Sequence, residues 1–317
     1  MLRHWMRVCA CTLAAMLAAG ASLAQGPPTG SRKPSARVRT KPATKPPAVG
    51  PGTTIVLPPK LLAGQHATLA VLDIAGRLVP GAAVELNGAD RVKTDVTGRA
   101  AFTAPPGLRE LLARLPGQNV NASAAVVDRV PNPPDGVQVF DYPHIVSVAD
   151  RFAIEGSGFR GVADANRVML GEEPALVLAA SPVSLVVLPG PHVSDGLAQL
   201  LVEVGGRSPG PMPVTLVSLQ VTAPANELPQ GEKGKLVVRV SGTEQRVVVE
   251  VRNWTPDIVE LTHGNFQRLT TSGGAYNFAE VEMRGLRAGN FSVAVRLAQA
   301  AAASREAGNP GSKEPRK

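Results

Sequence analysis

Between Tyr142 and Val217, apolar segments are stopped by a turn residue before they outlast a strand. Arg151-Phe152-Ala153-Ile154-Glu155 ends at Gly156, and Val168-Met169-Leu170 ends at Gly171. Ser184-Leu185-Val186-Val187-Leu188 ends at Pro189, and Ala198-Gln199-Leu200-Leu201-Val202-Glu203-Val204 ends at Gly205-Gly206. Turn signals at roughly ten-residue spacing predict a small all-β sandwich. The 32 Gly and 29 Pro of the whole chain suit many turns and few long helices.

The same punctuation extends to both sides. Upstream, His66 to Asp73 and Ala82 to Leu86 read as strands, with Asn87-Gly88 as a tight-turn pair. Arg99 to Ala104 and Ala122 to Val127 follow as further strands. Leu108, Leu111, Leu112 and Leu115 fall at helical spacing, yet the segment between its bounding Pro-Gly pairs is short for a helix, so helix and buried strand both stand. Downstream, Gly234 to Val240, Arg246 to Val251, Tyr276 to Met283 and Asn290 to Leu297 read as a third strand set. The predicted fold class is all-β, with tandem immunoglobulin-like sandwiches over residues 60–130, 138–218 and 219–298.

Two resemblances accompany this reading. Gly156-Ser157-Gly158-Phe159, with a strand before it and Val168-Met169-Leu170-Gly171 after it, resembles the IPT/TIG family of Ig-like domains. So do Pro143-His144-Ile145, Leu185-Val186-Val187-Leu188-Pro189 and the closing Leu200 to Gly206. This chain has Ser147-Val148-Ala149-Asp150 where the family usually has a second Pro and a Gly, which implies a shortened first strand or loop. The series from Ala70 to Pro105, with Asp95-Val96-Thr97-Gly98 at its turn, resembles bacterial Ig-like and carboxypeptidase-regulatory-like modules. Both resemblances imply β-sandwiches, and the second implies no catalytic role.

Charge separates the ends from the middle. Residues 1–24 carry +2, residues 25–59 carry +6 and the stretch from Gln299 carries +2, so the total of +8 leaves −2 for residues 60–298. A nucleic-acid-binding domain would concentrate its basic residues on a folded face, so no nucleic-acid partner is expected. Met1 to Arg7 is basic, Val8 to Leu23 is apolar and uncharged, and Ser22-Leu23-Ala24 offers small residues before Gln25. This is the plan of a secretory signal peptide cleaved after Ala24; Ala19-Gly20-Ala21 is an alternative site and an uncleaved anchor the alternative fate. Membrane contact is expected only through this segment. Cys9 and Cys11 both lie within it, so the mature chain holds no thiol. Residues 25–59, rich in Pro, Thr, Ala, Lys and Arg, read as a disordered linker, and residues 299–317 as a disordered tail.

No chemistry-bearing constellation emerges. Gly156 to Gly161 matches G-x-G-x-x-G, but no amphipathic helix follows and no acid lies between Pro174 and Ser194, as a dinucleotide site requires. His66, His144, His192 and His263 are scattered, without metal-ligand spacing. Glu172-Glu173 reads as a solvated turn, and Asp164 with Asn166 supplies only part of a calcium loop. Trp254 reads as a core anchor rather than a sugar platform; Tyr142 and Tyr276 are the other candidate sugar contacts. The expectation is therefore no catalytic, cofactor-binding or metal residues and no cofactor. An exported, non-catalytic protein would act in adhesion, binding or envelope scaffolding, with an envelope protein or polysaccharide as partner. A polysaccharide-binding accessory protein is the alternative, and a hydrolase on a β-sandwich a more remote one.

Overall fold

The computed structural model describes residues 53–130, 136–223 and 228–298. The signal segment, residues 25–52 of the expected linker and the expected C-terminal tail lie outside the described residues.

The first sandwich contains β1 (Thr54–Val56), β2 (Lys60–Leu62), β3 (His66–Leu72), β4 (Ala83–Leu86), β5 (Val92–Lys93), β6 (Arg99–Thr103), β7 (Glu110–Arg114) and β8 (Asn121–Val127). Strands β1-β3-β6 form one layer and β2-β8-β7-β4-β5 the other. Residues 53–59, read from the sequence as the end of the linker, belong to this sandwich. Ile55, Val56 and Leu57 are buried, and β1 pairs antiparallel with β3. Three consecutive aliphatic residues outweigh the flanking prolines once a partner strand is available. The leucine-rich segment is a strand: along β7, Leu111 and Ala113 turn inward while Leu112 is half exposed, a period of two.

The middle sandwich contains β9 (Gln138–Asp141), β10 (Ile145–Ser147), β11 (Phe152–Ser157), β12 (Asn166–Leu170), β13 (Glu173–Ala180), β14 (Ser184–Leu188) and β15 (Gly196–Val204), with a single 3-10 turn at Ala163–Ala165. It shares β16 (Met212–Thr222) with the third. The chain before Ser147 is divided: β9 pairs antiparallel with β11, then after Pro143 β10 pairs parallel with β16 in the opposite layer. The core is mostly aliphatic, as the aromatic content of 3% requires. Ile154, Leu185, Leu200 and Leu216 are almost fully buried, each contributing roughly 1.5–3 kcal/mol. Phe159, immediately after the glycines, folds back into the same core.

The third sandwich adds β17 (Lys233–Ser241), β18 (Val248–Asn253), β19 (Val259–Leu261), β20 (Phe266–Thr270), β21 (Asn277–Gly285) and β22 (Val293–Leu297). One layer is β19-β21-β17-β16 and the other β20-β18-β22.

No linker separates the middle and third sandwiches. Residues 212–216 of β16 pair with β15, and residues 218–222 pair with β17. Val217, at the crossing, is fully buried in the third core, while Leu216 is buried in the middle one. The first and middle sandwiches also meet through a sheet, where Thr68 of β3 pairs with Ala180 of β13. Strand β3 is consequently buried on both faces. Leu69 and Val71 enter the first core, while Ala70 and Leu72 pack with Leu178, Ala179 and Val186 between the sandwiches.

Candidate functional site

The Gly156 to Gly161 motif serves backbone packing. A Cβ at Gly156 would lie 2.1 Å from the Gln138 carbonyl oxygen, and one at Gly158 would lie 2.1 Å from that of Gly136. At Gly161 it would lie 1.9 Å from the His66 carbonyl oxygen, in the first sandwich. Asn166, buried, closes the loop: its Oδ1 accepts from the Arg160 N–H (2.8 Å), and its Nδ2 donates to the carbonyls of Arg160 (2.8 Å) and Val162 (2.9 Å). Thr68 Oγ1 donates to the Gly161 carbonyl at 2.6 Å. These residues therefore build a joint between sandwiches.

The same joint uses Asp164, which pairs with Arg99 at 2.9 Å instead of completing a calcium loop. Arg99 also donates to the Val177 carbonyl from Nη2 at 2.7 Å. The Ser181 and Ser184 hydroxyls both donate to the Lys60 carbonyl (2.6 and 2.7 Å), and the Lys60 ammonium pairs with Glu155. Glu172 is exposed at the turn between β12 and β13. His66, His144, His192 and His263 are each exposed and stand apart in the chain. His144 packs edge-on against half-buried Tyr142, with 4.9 Å between ring centroids. Among the described residues, no three or more of His, Cys, Asp and Glu gather closely enough to hold a metal ion.

A cleft of about 600 Å³ lies where all three sandwiches converge. Ile55 and Leu57 of the first, Arg151 and Phe152 of the middle, and Glu250 and Arg296 of the third line it. Glu250 lies between Arg268 and Arg296 in the cross-strand register. Arg268 donates to Oε1 from Nε (3.1 Å) and Nη2 (2.8 Å), and Arg296 Nε donates to Oε2 at 2.8 Å. Burial alone would raise the Glu250 pKa, but these hydrogen bonds and the adjacent positive charge hold it below the ordinary value. Asp150 behaves oppositely. Burial pushes its carboxyl upward, and the Leu297 N–H and the Ser147 hydroxyl only partly offset this. Burial also lowers the Arg151 guanidinium, assisted by the neighbouring charge of Arg296. Sequence reasoning did not single out these charged residues, because Glu250 and its partners meet only through strand register.

Two aromatic surfaces lie outside the cleft, on opposite layers of the third sandwich. Trp254, expected in the core, is 59% exposed. Alternation along β18 gives the reason. Val249, Val251 and Asn253 face inward, so the odd-numbered run ends with Asn253 in the inner position and Trp254 on the outer face. Asn253 holds that corner by donating from Nδ2 to the Val259 carbonyl (2.6 Å) and accepting from the Thr255 N–H (3.0 Å). Arg252 stacks over Trp254 at 5.2 Å and over Phe266 at 5.5 Å. On the other layer, Tyr276 is 87% exposed and borders a groove of about 480 Å³.

No protein-family model and no curated protein sequence matches this chain. Similar solved structures include SGBP-B of the Bacteroides ovatus mixed-linkage glucan utilization locus, in complex with a mixed-linkage heptasaccharide. It is 13% identical, with 82% of this chain and 76% of that one covered and a TM-score of 0.27. The Escherichia coli adhesin FdeC is 14% identical over 78% of this chain and 92% of that one, at a TM-score of 0.22. The I9–I11 tandem of titin is 9% identical over 77% and 97%, at 0.21. These likenesses are too distant to transfer residue roles.

Proposed function

We propose that this chain is an exported, non-catalytic string of Ig-like sandwiches that acts by binding at the cell envelope, in adhesion or scaffolding. The observation that carries the reading is the strand pairing that joins neighbouring sandwiches. Strand β16 belongs to two sandwiches, and β3 pairs across to β13. Such joints hold surface groups from successive sandwiches in fixed relation, as presentation to a large partner requires. The basic N-terminus, apolar run and small-residue site at Ala24 support export to the periplasm, cell surface or medium. The IPT/TIG resemblance of residues 138–218 supports a binding role for the middle sandwich.

Osmotic-shock and surface-protease fractionation of cells expressing the chain should recover it outside the cytoplasm. Crosslinking in intact cells should then join it to envelope protein or polysaccharide. Recovery in the cytoplasm alone would overturn the reading.

A second reading, polysaccharide binding, is favoured by the outward placement of Trp254 and Tyr276. Exposed aromatic rings are suited to stacking on the apolar faces of sugars.

A further inference from the structure

The groove on the outer face of β16, β17 and β21 has the makings of a small-ligand site. Gln220, Arg239, Ser241, Tyr276, Phe278 and Glu280 line it. Gln220, Arg239 and Phe278 stand directly opposite one another across three adjacent strands. Its volume of about 480 Å³ falls within the range of roughly 300–1,000 Å³ typical of ligand pockets.

Tyr276 is the informative residue. Its ring is almost entirely in water, yet the backbone beneath it is tightly held. Ser272 Oγ donates to the Tyr276 carbonyl (2.9 Å) and accepts from the Phe278 N–H (3.1 Å). The Ser272 N–H donates to the Phe278 carbonyl at 2.8 Å, and the Gly274 N–H to the Glu244 carbonyl at 2.7 Å. Asn277, buried next to Tyr276, accepts from the Gly273 N–H (2.9 Å) and donates to the Gln245 carbonyl (2.7 Å). Ordering this segment therefore leaves a large apolar ring hydrated, with no gain to the core. An exposed aromatic on a pinned backbone is partly pre-organised for contact, because little loop entropy remains to be lost on binding. Trp254 differs, since Arg252 already stacks on its ring. Among the described residues Tyr276 has no ring or cation partner.

Charge and topology select the ligand class. Arg239 lies diagonally from Glu280, since its register partner is Phe278, and Glu280 is paired to Lys235 at 2.9 Å. With Glu280 held by Lys235, the groove presents a single guanidinium, Arg239, short of the Arg clusters that recognise phosphate or acidic groups. Strand β17 is hydrogen-bonded on both sides, and the outer edge of β21 is met by Ser272 at Phe278 and by Thr262 at Glu282, which leaves a peptide little continuous backbone edge. What remains is an apolar wall beside amide, guanidinium and carboxylate groups that both donate and accept. That set matches a neutral sugar, with C–H faces on one side and hydroxyls on the other. We propose that this groove binds a neutral glycan, a sugar ring stacking on Tyr276 while Gln220, Arg239 and Glu280 hold its hydroxyls. The proposal rests on the surface-binding reading above and names its ligand class.

The test is affinity electrophoresis of the full chain through gels containing mixed-linkage β-glucan, galactomannan, dextran or xylan, with polygalacturonate as the acidic comparison. Retardation is expected in at least one neutral gel and should persist at raised salt. Tyr276→Ala should weaken it at least about ten-fold and Arg239→Gln by several-fold, while Trp254→Ala leaves it unchanged. Circular dichroism melts of each variant establish that the fold is retained. Three results would overturn the proposal: no neutral polysaccharide retards the chain, retardation survives Tyr276→Ala, or only polygalacturonate acts and salt abolishes it. Fractionation and gel retardation are separate measurements, so failure of this site is distinguishable from failure of the envelope assignment.

Discussion

Arg99 and Asp164 form an ion pair across two sandwiches in which one partner is buried and the other is in water. Their Nη1–Oδ1 distance is 2.9 Å, while the Arg99 side chain is 8% exposed and that of Asp164 is 75% exposed. The asymmetry decides what each contributes. Removing Asp164 deletes a solvent-screened partner but leaves the buried guanidinium with only the Val177 carbonyl, so it should cost about 1–2 kcal/mol. Arg99→Ala also removes the donor to Val177 and opens a gap beneath β6, so it should cost about 2–3 kcal/mol. Urea unfolding of the two variants checks the ordering, and equal losses would contradict it.

Gly161 and Gly171 separate two demands made on glycine. At Gly161 a methyl group would collide with the His66 carbonyl oxygen, whereas at Gly171 (φ +63°) nothing stands within 4 Å. Gly171→Ala should therefore cost only about 1–2 kcal/mol, the left-handed backbone penalty. Gly161→Ala should force the first and middle sandwiches apart. Its signature is an additional, earlier unfolding transition in calorimetry, absent from the wild type and from Gly171→Ala.

Acid should act on Glu250 and Asp150 in opposite directions. The folded pKa of Glu250 is depressed, so its contribution is present above the unfolded pKa and lost as pH falls through the folded value. The folded pKa of Asp150 is raised, so protonation relieves a destabilisation as pH falls through that folded value toward the unfolded one. Glu250→Gln should flatten the loss of stability on acidification below the unfolded value near 4.5, and Asp150→Asn should steepen it over the interval above 3.8. Thermal midpoints measured from pH 6 to pH 3 test both signs.

Trp254 should report an exposed indole. In a Trp5→Phe background its emission should be red-shifted and readily quenched by acrylamide. Trp254→Ala should cost less than about 1.5 kcal/mol, since it loses the Arg252 stack but leaves no core cavity. A loss of 3 kcal/mol or more, the magnitude of a core Trp truncation, would be inconsistent with this placement.

Local alternation made much of the sandwich architecture legible. Phe152 and Ile154 on one face of a strand, followed by Gly158 and an inward Phe159, could be read directly and stand so in the structure. The strand from Thr54 to Val56 was hidden by the prolines around it, because its stability comes from β3, which is distant information. The outward turn of Trp254 was readable in principle from the inward valines, had the alternation been counted through Asn253. The partners of Glu250 were not readable. Arg268 and Arg296 lie in other strands, and only the register of β18 with β20 and β22 brings them to one carboxylate. The groove beside Tyr276 likewise needs three strands in register before it exists.

The continuous strand through Val217 also bears on how such a chain can be rearranged. A gene segment ending after the middle sandwich would either lose half of β16 or carry an unpaired strand belonging to its neighbour. A rearrangement that exchanges one of these sandwiches must therefore bring the matching half of β16 with it.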